Sequence, residues 1–308
     1  MARYLDGVDV LTSVLATTQV HGAILADFRH FVPFGLEMTK GDVAGFHYVL
    51  SGSCVLLAPR RAPMPLLQGD LVLVPGGSRH AIADDVDSPL EPIEDFLARG
   101  PRPSKAEHAP RVVCGAFRWA CGGPHPLMRL LPPFLRVPQS AVARSRALSS
   151  TLALLTIELD EKGPGTSGLV DRLMDVLFVY VVRTWLAEQP DGAAGWLGAL
   201  RDRQMGMALA AIHEQPERRW TNASLASLVG LSRASFARRF TSLVGVPPLA
   251  YLTQWRLSLA ARRLQTSDES LARIAADVGY ESEFAFSRAF KRAHGAPPSH
   301  YRAAERRG

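Results

Sequence analysis

The first half of the chain sets short apolar runs between turn residues. Phe46 to Leu50 and Cys54 to Ala58 flank Ser51-Gly52, and Leu71 to Val74 follows Gly69-Asp70, a pattern that predicts strands joined by tight turns. Pro59, Pro63, Pro65, Pro75, Gly76 and Gly77 punctuate the same stretch, as in a β-sandwich or β-barrel. Asp87 to Pro110, with five prolines and mixed charge, reads as a surface excursion. The period then lengthens. Leu152, Leu155 and Leu159 predict a helix over Ser149 to Glu161, and Leu169, Leu173, Val176, Leu177, Tyr180 and Trp185 predict a second over Gly168 to Glu188. Gly163-Pro164-Gly165 ends the first and permits a hairpin. These helices carry more apolar residues than one β-domain needs for cover. They either form a dimer interface or pack as a hairpin on their own sheet. Pro190 to Gly195 reads as a linker.

From Leu200 onward the chain repeats itself. A shift of 50 residues carries Ser232, Phe236, Arg238, Phe240, Gly245, Pro247-Pro248 and Tyr251 onto Ser282, Phe286, Arg288, Phe290, Gly295, Pro297-Pro298 and Tyr301. Upstream the shift is 49, taking Leu225-Ala226 to Ile274-Ala275 and Val229-Gly230 to Val278-Gly279. Each copy is a short helix, a glycine turn and a second helix, the layout of a helix-turn-helix. On a helical wheel, Phe236, Phe240 and Leu243 share one side, whereas Ala234, Arg238 and Thr241 point the other way. In the second copy Phe286, Phe290 and Ala293 are expected inside, with Phe284, Arg288 and Lys291 outside. Arg238 and Arg288 are thus candidates for bidentate contact with guanine, and Phe284 for a thymine methyl. Tyr251, Leu252, Trp255 and Leu259 mark a helix linking the copies. On that helix Arg256, Arg262 and Arg263 are candidate phosphate contacts, against the plainer reading of a solvated face.

Charge supports this reading. The 308 residues suggest about two domains, and the net charge of +6 is unevenly spread. Residues 201–308 hold 17 basic and 9 acidic residues, net +8, leaving −2 for the remainder. Such asymmetry points to nucleic acid or an anionic surface. Met1 to Ser13 contains Asp6 and Asp9 and lacks a basic start followed by an apolar run. The longest apolar run, Val176 to Val182, falls far short of the roughly 18 residues of a membrane span. With Cys54, Cys114 and Cys121 as its only cysteines, the chain offers no disulfide framework. A cytoplasmic, reduced protein is expected.

Ile274-Ala275-Ala276-Asp277-Val278-Gly279-Tyr280-Glu281-Ser282, then Phe286-Ser287-Arg288-Ala289-Phe290-Lys291-Arg292, Gly295, Pro298 and Tyr301-Arg302, closely resemble the DNA-binding domain of AraC-family transcriptional regulators. The resemblance implies seven helices placing two helix-turn-helix units in consecutive major-groove segments. It puts base contacts at Ala234, Ala237 and Arg238 in the first reader and at Glu283, Phe284, Ser287 and Arg288 in the second. Ser235 and Lys291 join this DNA-binding set, as does Arg256. Ala234 and Ala237 cannot hydrogen-bond a base through their side chains, so the first reader is expected to recognise less, or chiefly methyl groups.

Gly69 to His80 follows the pattern Gly-x5-Pro-x-Gly-x2-His and resembles the second motif of the cupin fold. His47 to Gly52 resembles the end of the first, without its usual His-x-His and Glu ligands. With Val113-Cys114-Gly115, His125-Pro126-Leu127 and Leu131-Pro132-Pro133, residues 5–188 resemble the cupin-type sensor domain of some AraC-family regulators. The fold class expected is α+β. A cupin-like β-barrel with a helical hairpin spans residues 1–193. An all-α DNA-binding domain spans 197–308, with helix-turn-helix units at about 222–244 and 271–293 and a linking helix at about 249–265.

Two kinds of signal chemistry are open. His47 and His80, facing into a barrel, form a candidate transition-metal site, with Cys54, His125 or His21 as a third ligand, or else are buried, hydrogen-bonded histidines. Cys54, Cys114 and Cys121 are candidate redox sensors, or else small buried hydrophobes. The chain is read as a regulator and not an enzyme. Its expected partners are double-stranded DNA, a second copy of itself, RNA polymerase and a small effector, with no membrane. A cupin metal-dependent oxygenase carrying a DNA-binding appendix is the alternative, weakened by the missing ligands and by the lack of a Gly-x-Ser-x-Gly or phosphate loop. A non-specific nucleoid-coating protein is a third.

Overall fold

A computed structural model of the chain describes residues 20–28, 33–39, 41, 43–99, 109–119, 131–189, 199 and 202–305. The expected linker at Pro190 to Gly195, together with Cys121 and His125, lies outside them. The chain divides into two compact units, one holding Val20–Arg118 and Leu131–Gln189 and the other holding Pro190–Gly308.

The first unit is built on strands β1 (Val20–Phe28), β2 (Gly35–Met38), β3 (Val43–Ser51), β4 (Ser53–Leu57), β5 (Met64–Leu67), β6 (Leu71–Val74), β7 (His80–Ala83), β8 (Glu91–Pro92), β9 (Arg111–Trp119) and β10 (Leu135–Val137). They form two five-stranded sheets, in the orders β1-β9-β3-β6-β10 and β5-β4-β7-β2-β8. The faces meet in one apolar cluster, with Val49, Val72, Val74 and Val112 from the first sheet and Leu36, Leu56, Leu66 and Ile82 from the second. Helices α3 (Arg146–Glu161) and α4 (Thr166–Ala187) follow as the hairpin, after the short α2 (Gln139–Arg144). Phe178 of α4 meets Phe117 of β9 edge to face at 5.1 Å, and Phe117 meets Phe46 of β3 at 6.1 Å, so the first sheet is covered on its second face as well. That is why Leu71-Val72-Leu73-Val74 is buried throughout rather than alternating. A Cβ on Gly22 would meet the Met174 Cβ at 2.5 Å, so glycine lets α4 lie this close to β1.

Two expectations shift here. The hairpin's first helix starts at Arg146 rather than Ser149, because the Ser145 side chain accepts from the Leu148 amide and supplies the cap. The stretch from Asp87 is more than a surface excursion. β8 pairs in parallel with β2, and α1 (Ile93–Arg99) buries Ile93 and Phe96. Residues 100–108 lie outside the description.

In the second unit seven helices can be followed from Arg203 to Glu305: α5 (Arg203–Glu214), α6 (Asn222–Leu228), α7 (Arg233–Val244), α8 (Pro248–Thr266), α9 (Leu271–Asp277), α10 (Glu283–His294) and α11 (Pro298–Glu305). The repeat is visible in three dimensions. Phe236–Phe240 and Phe286–Phe290 have the same 5.6 Å tilted geometry, and Tyr251 and Tyr301 each set an edge against the second Phe of their pair. Ser232 and Ser282 cap the two second helices, and Gly245 and Gly295, at φ +78° and +77°, end them. Ala293, expected inside, is exposed. It shares an angular position with Phe286, but in the last turn of α10 His294 is the residue that stacks on Phe290 and meets Tyr301, and Ala289 packs on the core instead. No helix among the described residues is long and apolar enough to cross a membrane.

Candidate nucleic-acid interface and sensor core

The buried phenylalanines fix which sides of α7 and α10 face outward. On α7, Ala234 and Arg238 are exposed and Ser235 and Ala237 half-buried. Ser235 belongs to the cap, its amide and hydroxyl both meeting Ser232 Oγ. On α10, Glu283, Phe284, Arg288 and Lys291 are exposed and Ser287 is half-buried. Phe284 is 71% exposed, an unusual position for a phenylalanine, and the Arg288 guanidinium lies 5.7 Å from its ring centre. The two helices thus present Arg238 and Arg288 at equivalent positions, each backed by a buried Phe pair.

The linking helix α8 distributes its arginines differently. Arg263 is held by Glu269 and Asp277, both at 2.7 Å. Its hydrogen bonds draw both carboxyl groups below their usual range, while the Arg263 guanidinium is held more firmly protonated. Arg256 is half-buried and donates to the Pro216 and Arg218 carbonyls. Burial lowers its pKa. Arg239, beside Arg238, is turned back onto Asp202 and Gln204 of the first helix region. Periodicity alone could not separate such tethered arginines from the outward ones, because all lie on polar positions of the wheel.

In the first unit, His47 of β3 and His80 of β7 meet across the two sheets, Nε2 to Nε2 at 2.7 Å. The other ring nitrogens fix the protons. The Ser78 carbonyl, 2.6 Å from His80 Nδ1, can only accept, so Nδ1 carries the hydrogen and His80 Nε2 accepts. His47 Nε2 must then donate, and His47 Nδ1 accepts from the Cys114 thiol at 2.9 Å. Burial holds both imidazoles below their usual pKa, and for His47 the neighbouring His80 adds to the effect. Burial likewise holds the Cys114 thiol well above its usual value, and Cys54 is pushed up to about 12. The result is one neutral chain of donors running Cys114, His47, His80, Ser78.

The candidate metal site of His47 and His80 is engaged in this chain of hydrogen bonds. The two Nε2 atoms that would face an ion are bonded to each other, and the Cys114 sulfur sits on the far nitrogen of His47. Among the described residues no group of three or more His, Cys, Asp or Glu side chains is arranged to hold an ion. Cys54 and Cys114 are free and buried. Elsewhere in the unit a cavity of about 560 Å³ is lined by Leu25, Val43, Ala116, Arg118 and Arg172, among others. Neither that cavity nor the Cys114–His47 contact has a signal in sequence spacing, since both join strands distant along the chain.

Comparison with known proteins places this geometry. The family model described as Cupin matches residues 9–187, and that described as a Helix-turn-helix domain matches residues 225–304. A putative AraC-like transcription regulator of Streptomyces antibioticus is 32% identical over 96% of this chain and 97% of its own. The HTH-type transcriptional regulator AlkR of Acinetobacter baylyi is 35% identical over 87% of this chain and 90% of its own. Among solved structures, the DNA-binding domain of AdpA in complex with a target DNA is 36% identical, with a TM-score of 0.33, over 34% of this chain and 95% of that one. These curated relatives are named as regulators of transcription. The chain belongs to the AraC family of DNA-binding transcriptional regulators, carrying a cupin domain ahead of its two helix-turn-helix units.

Proposed function

We propose that this regulator acts in the cytoplasm as a homodimer, reads base sequence through α7 and α10, and answers to a small effector taken up by its cupin domain. The carrying observation is the matched pair of outward arginines, Arg238 and Arg288, on helices whose opposite faces are locked by buried phenylalanines. Each guanidinium offers the planar fork that matches guanine O6 and N7. Phe284 supplies an apolar contact for a thymine methyl, Ala234 and Ala237 can offer only methyl contacts, and Glu283, Ser287 and Lys291 complete the second reader. RNA polymerase is the natural further partner of such a protein once it is seated on DNA.

The sensor core supports a small molecule as the signal. Thiols held protonated by burial are poor nucleophiles, which argues against Cys54 and Cys114 as redox switches. The mutually bonded histidines argue against a metal. The cavity lined by Leu25, Val43 and Ala116 with Arg118 and Arg172 suits a small amphipathic molecule. Dimerisation is assigned to the outer face of the hairpin, where Leu154, Ile157, Leu169 and Val176 are exposed.

The test is selection of duplexes from a random pool by the purified full-length chain. The enriched site should bind about a thousandfold or more tighter than random DNA at physiological salt. A ratio near unity would favour a nucleoid-coating role instead. On the enriched site, Arg288→Ala should cost about 1–3 kcal/mol and relax preference at one base pair. Equal losses on specific and random DNA would make Arg288 a phosphate contact.

A further inference from the structure

Arg256 stands near the middle of α8, between the two helix-turn-helix units, and it touches both. Nε donates to the Pro216 carbonyl at 2.6 Å and Nη2 to the Arg218 carbonyl at 2.9 Å, in the loop that leads into α6 of the first unit. The same guanidinium lies against the turn of the second unit. A Cβ on Gly279 would come within 2.6 Å of Arg256 Nη2 and within 2.8 Å of the Glu217 Cα. At the surface an ion pair of 2.9 Å between Arg219 and Glu281 joins the same two segments.

The repeat supplies an internal control. Gly230 is the first-unit counterpart of Gly279, and both have left-handed backbone, with φ of +68° and +87°. A Cβ on Gly230 would meet nothing within 4 Å. Both turns therefore need glycine for conformation, but only the second needs it for the close approach of a neighbour.

We infer that Arg256 is a positioning residue for DNA recognition: it locks the turn of the second unit to the entry loop of the first and so fixes the spacing of α7 and α10. The inference rests on the reading of those helices as DNA readers. It replaces the phosphate contact that the sequence led us to expect, because the guanidinium is occupied by protein carbonyls. Readers held rigidly accept one spacing of their base elements. One inserted base pair displaces one element by about 3.4 Å and rotates it by about 35°.

The full-length chain and its variants would be titrated against the duplex enriched by the wild type, and against a series carrying one inserted base pair at each successive position. Wild type should lose about tenfold or more in affinity at the insertion that parts the two elements. Arg256→Met and Arg256→Lys should shrink that penalty below about threefold with an unchanged salt slope, since lysine keeps the charge but cannot reproduce the fork. Gly279→Ala should act likewise, whereas Gly230→Ala, which carries the same kind of backbone strain, should keep the full penalty. Should Arg256→Met fail to fold, Arg256→Lys and the two glycine variants carry the comparison. An unchanged insertion penalty in the Arg256 and Gly279 variants overturns the inference. A salt slope reduced by about one in Arg256→Met but not in Arg256→Lys would also overturn it and make Arg256 a phosphate contact. Failure of the wild type to enrich any sequence would overturn the reading of α7 and α10 itself, and it would be seen before any variant is compared.

Discussion

His213 shows how a single buried side chain ties the helical unit to pH. Its Nε2 lies 2.6 Å from Tyr251 Oη, and its ring stacks on Trp255 at 4.0 Å. Burial pushes its pKa down to about 3 from an ordinary value of 6.5. Below pH 6.5 the unfolded chain therefore takes up a proton that the folded chain refuses. The stability linked to this group is complete above pH 6.5 and is lost progressively as pH falls toward 3. At about 1.4 kcal/mol per pH unit, acidification from pH 7 to 5 should cost about 2 kcal/mol through His213. Denaturant titrations of wild type and His213→Phe should thus diverge in their pH slopes over this range. Parallel slopes would show that the folded ring titrates normally. Nothing in the sequence singled out His213, because a histidine on an amphipathic helix reads the same whether it stacks on an aromatic pair or faces water.

Among the described elements, α4 has two apolar faces. Val170, Met174, Leu177 and Val181 are buried within its own unit, while Leu169, Leu173, Val176 and Tyr180 recur at four-three-four spacing on a face left exposed or half-buried. That second stripe, with Leu154 and Ile157 on α3, is the surface on which the proposed dimer rests. Leu169→Glu with Val176→Glu should convert a dimer to a folded monomer in analytical ultracentrifugation; a double variant that sediments like the wild type would rule out this face. The hairpin, the glycine turns and both helix-turn-helix units were legible because their periodicity is local and the repeat reports itself twice. The strands around Ser51-Gly52 and after Gly69-Asp70 were legible from turn chemistry. By contrast, α1 was hidden by the prolines around it, and the exposure of Ala293 depended on its neighbour His294 taking the contact with Phe290 and Tyr301. The partners of Arg256 were hidden for a related reason: they are backbone carbonyls of a loop, which no residue type announces.

At the scale of the whole molecule, the charge split assigns labour: net +8 over residues 201–308 supplies attraction to DNA, while the first 200 residues, at −2, supply none. A fragment of residues 197–308, the helical domain expected from the sequence, should keep the base preference of the full chain while losing the affinity for paired half-sites that the proposed dimer would give. A fragment that binds all duplexes alike would instead place sequence reading in the intact protein. One feature of the first unit bears on how its two sheets find each other. Apolar burial is non-directional, so two greasy faces can slide past one another at little cost. The chain from Cys114 through His47 and His80 to Ser78 cannot slide. A displacement by one residue would strand several polar atoms away from water, at about 1–3 kcal/mol each. The relay therefore works as an alignment pin. Replacing both histidines by apolar residues of similar shape should leave the sandwich nearly as stable but free to settle in more than one registry.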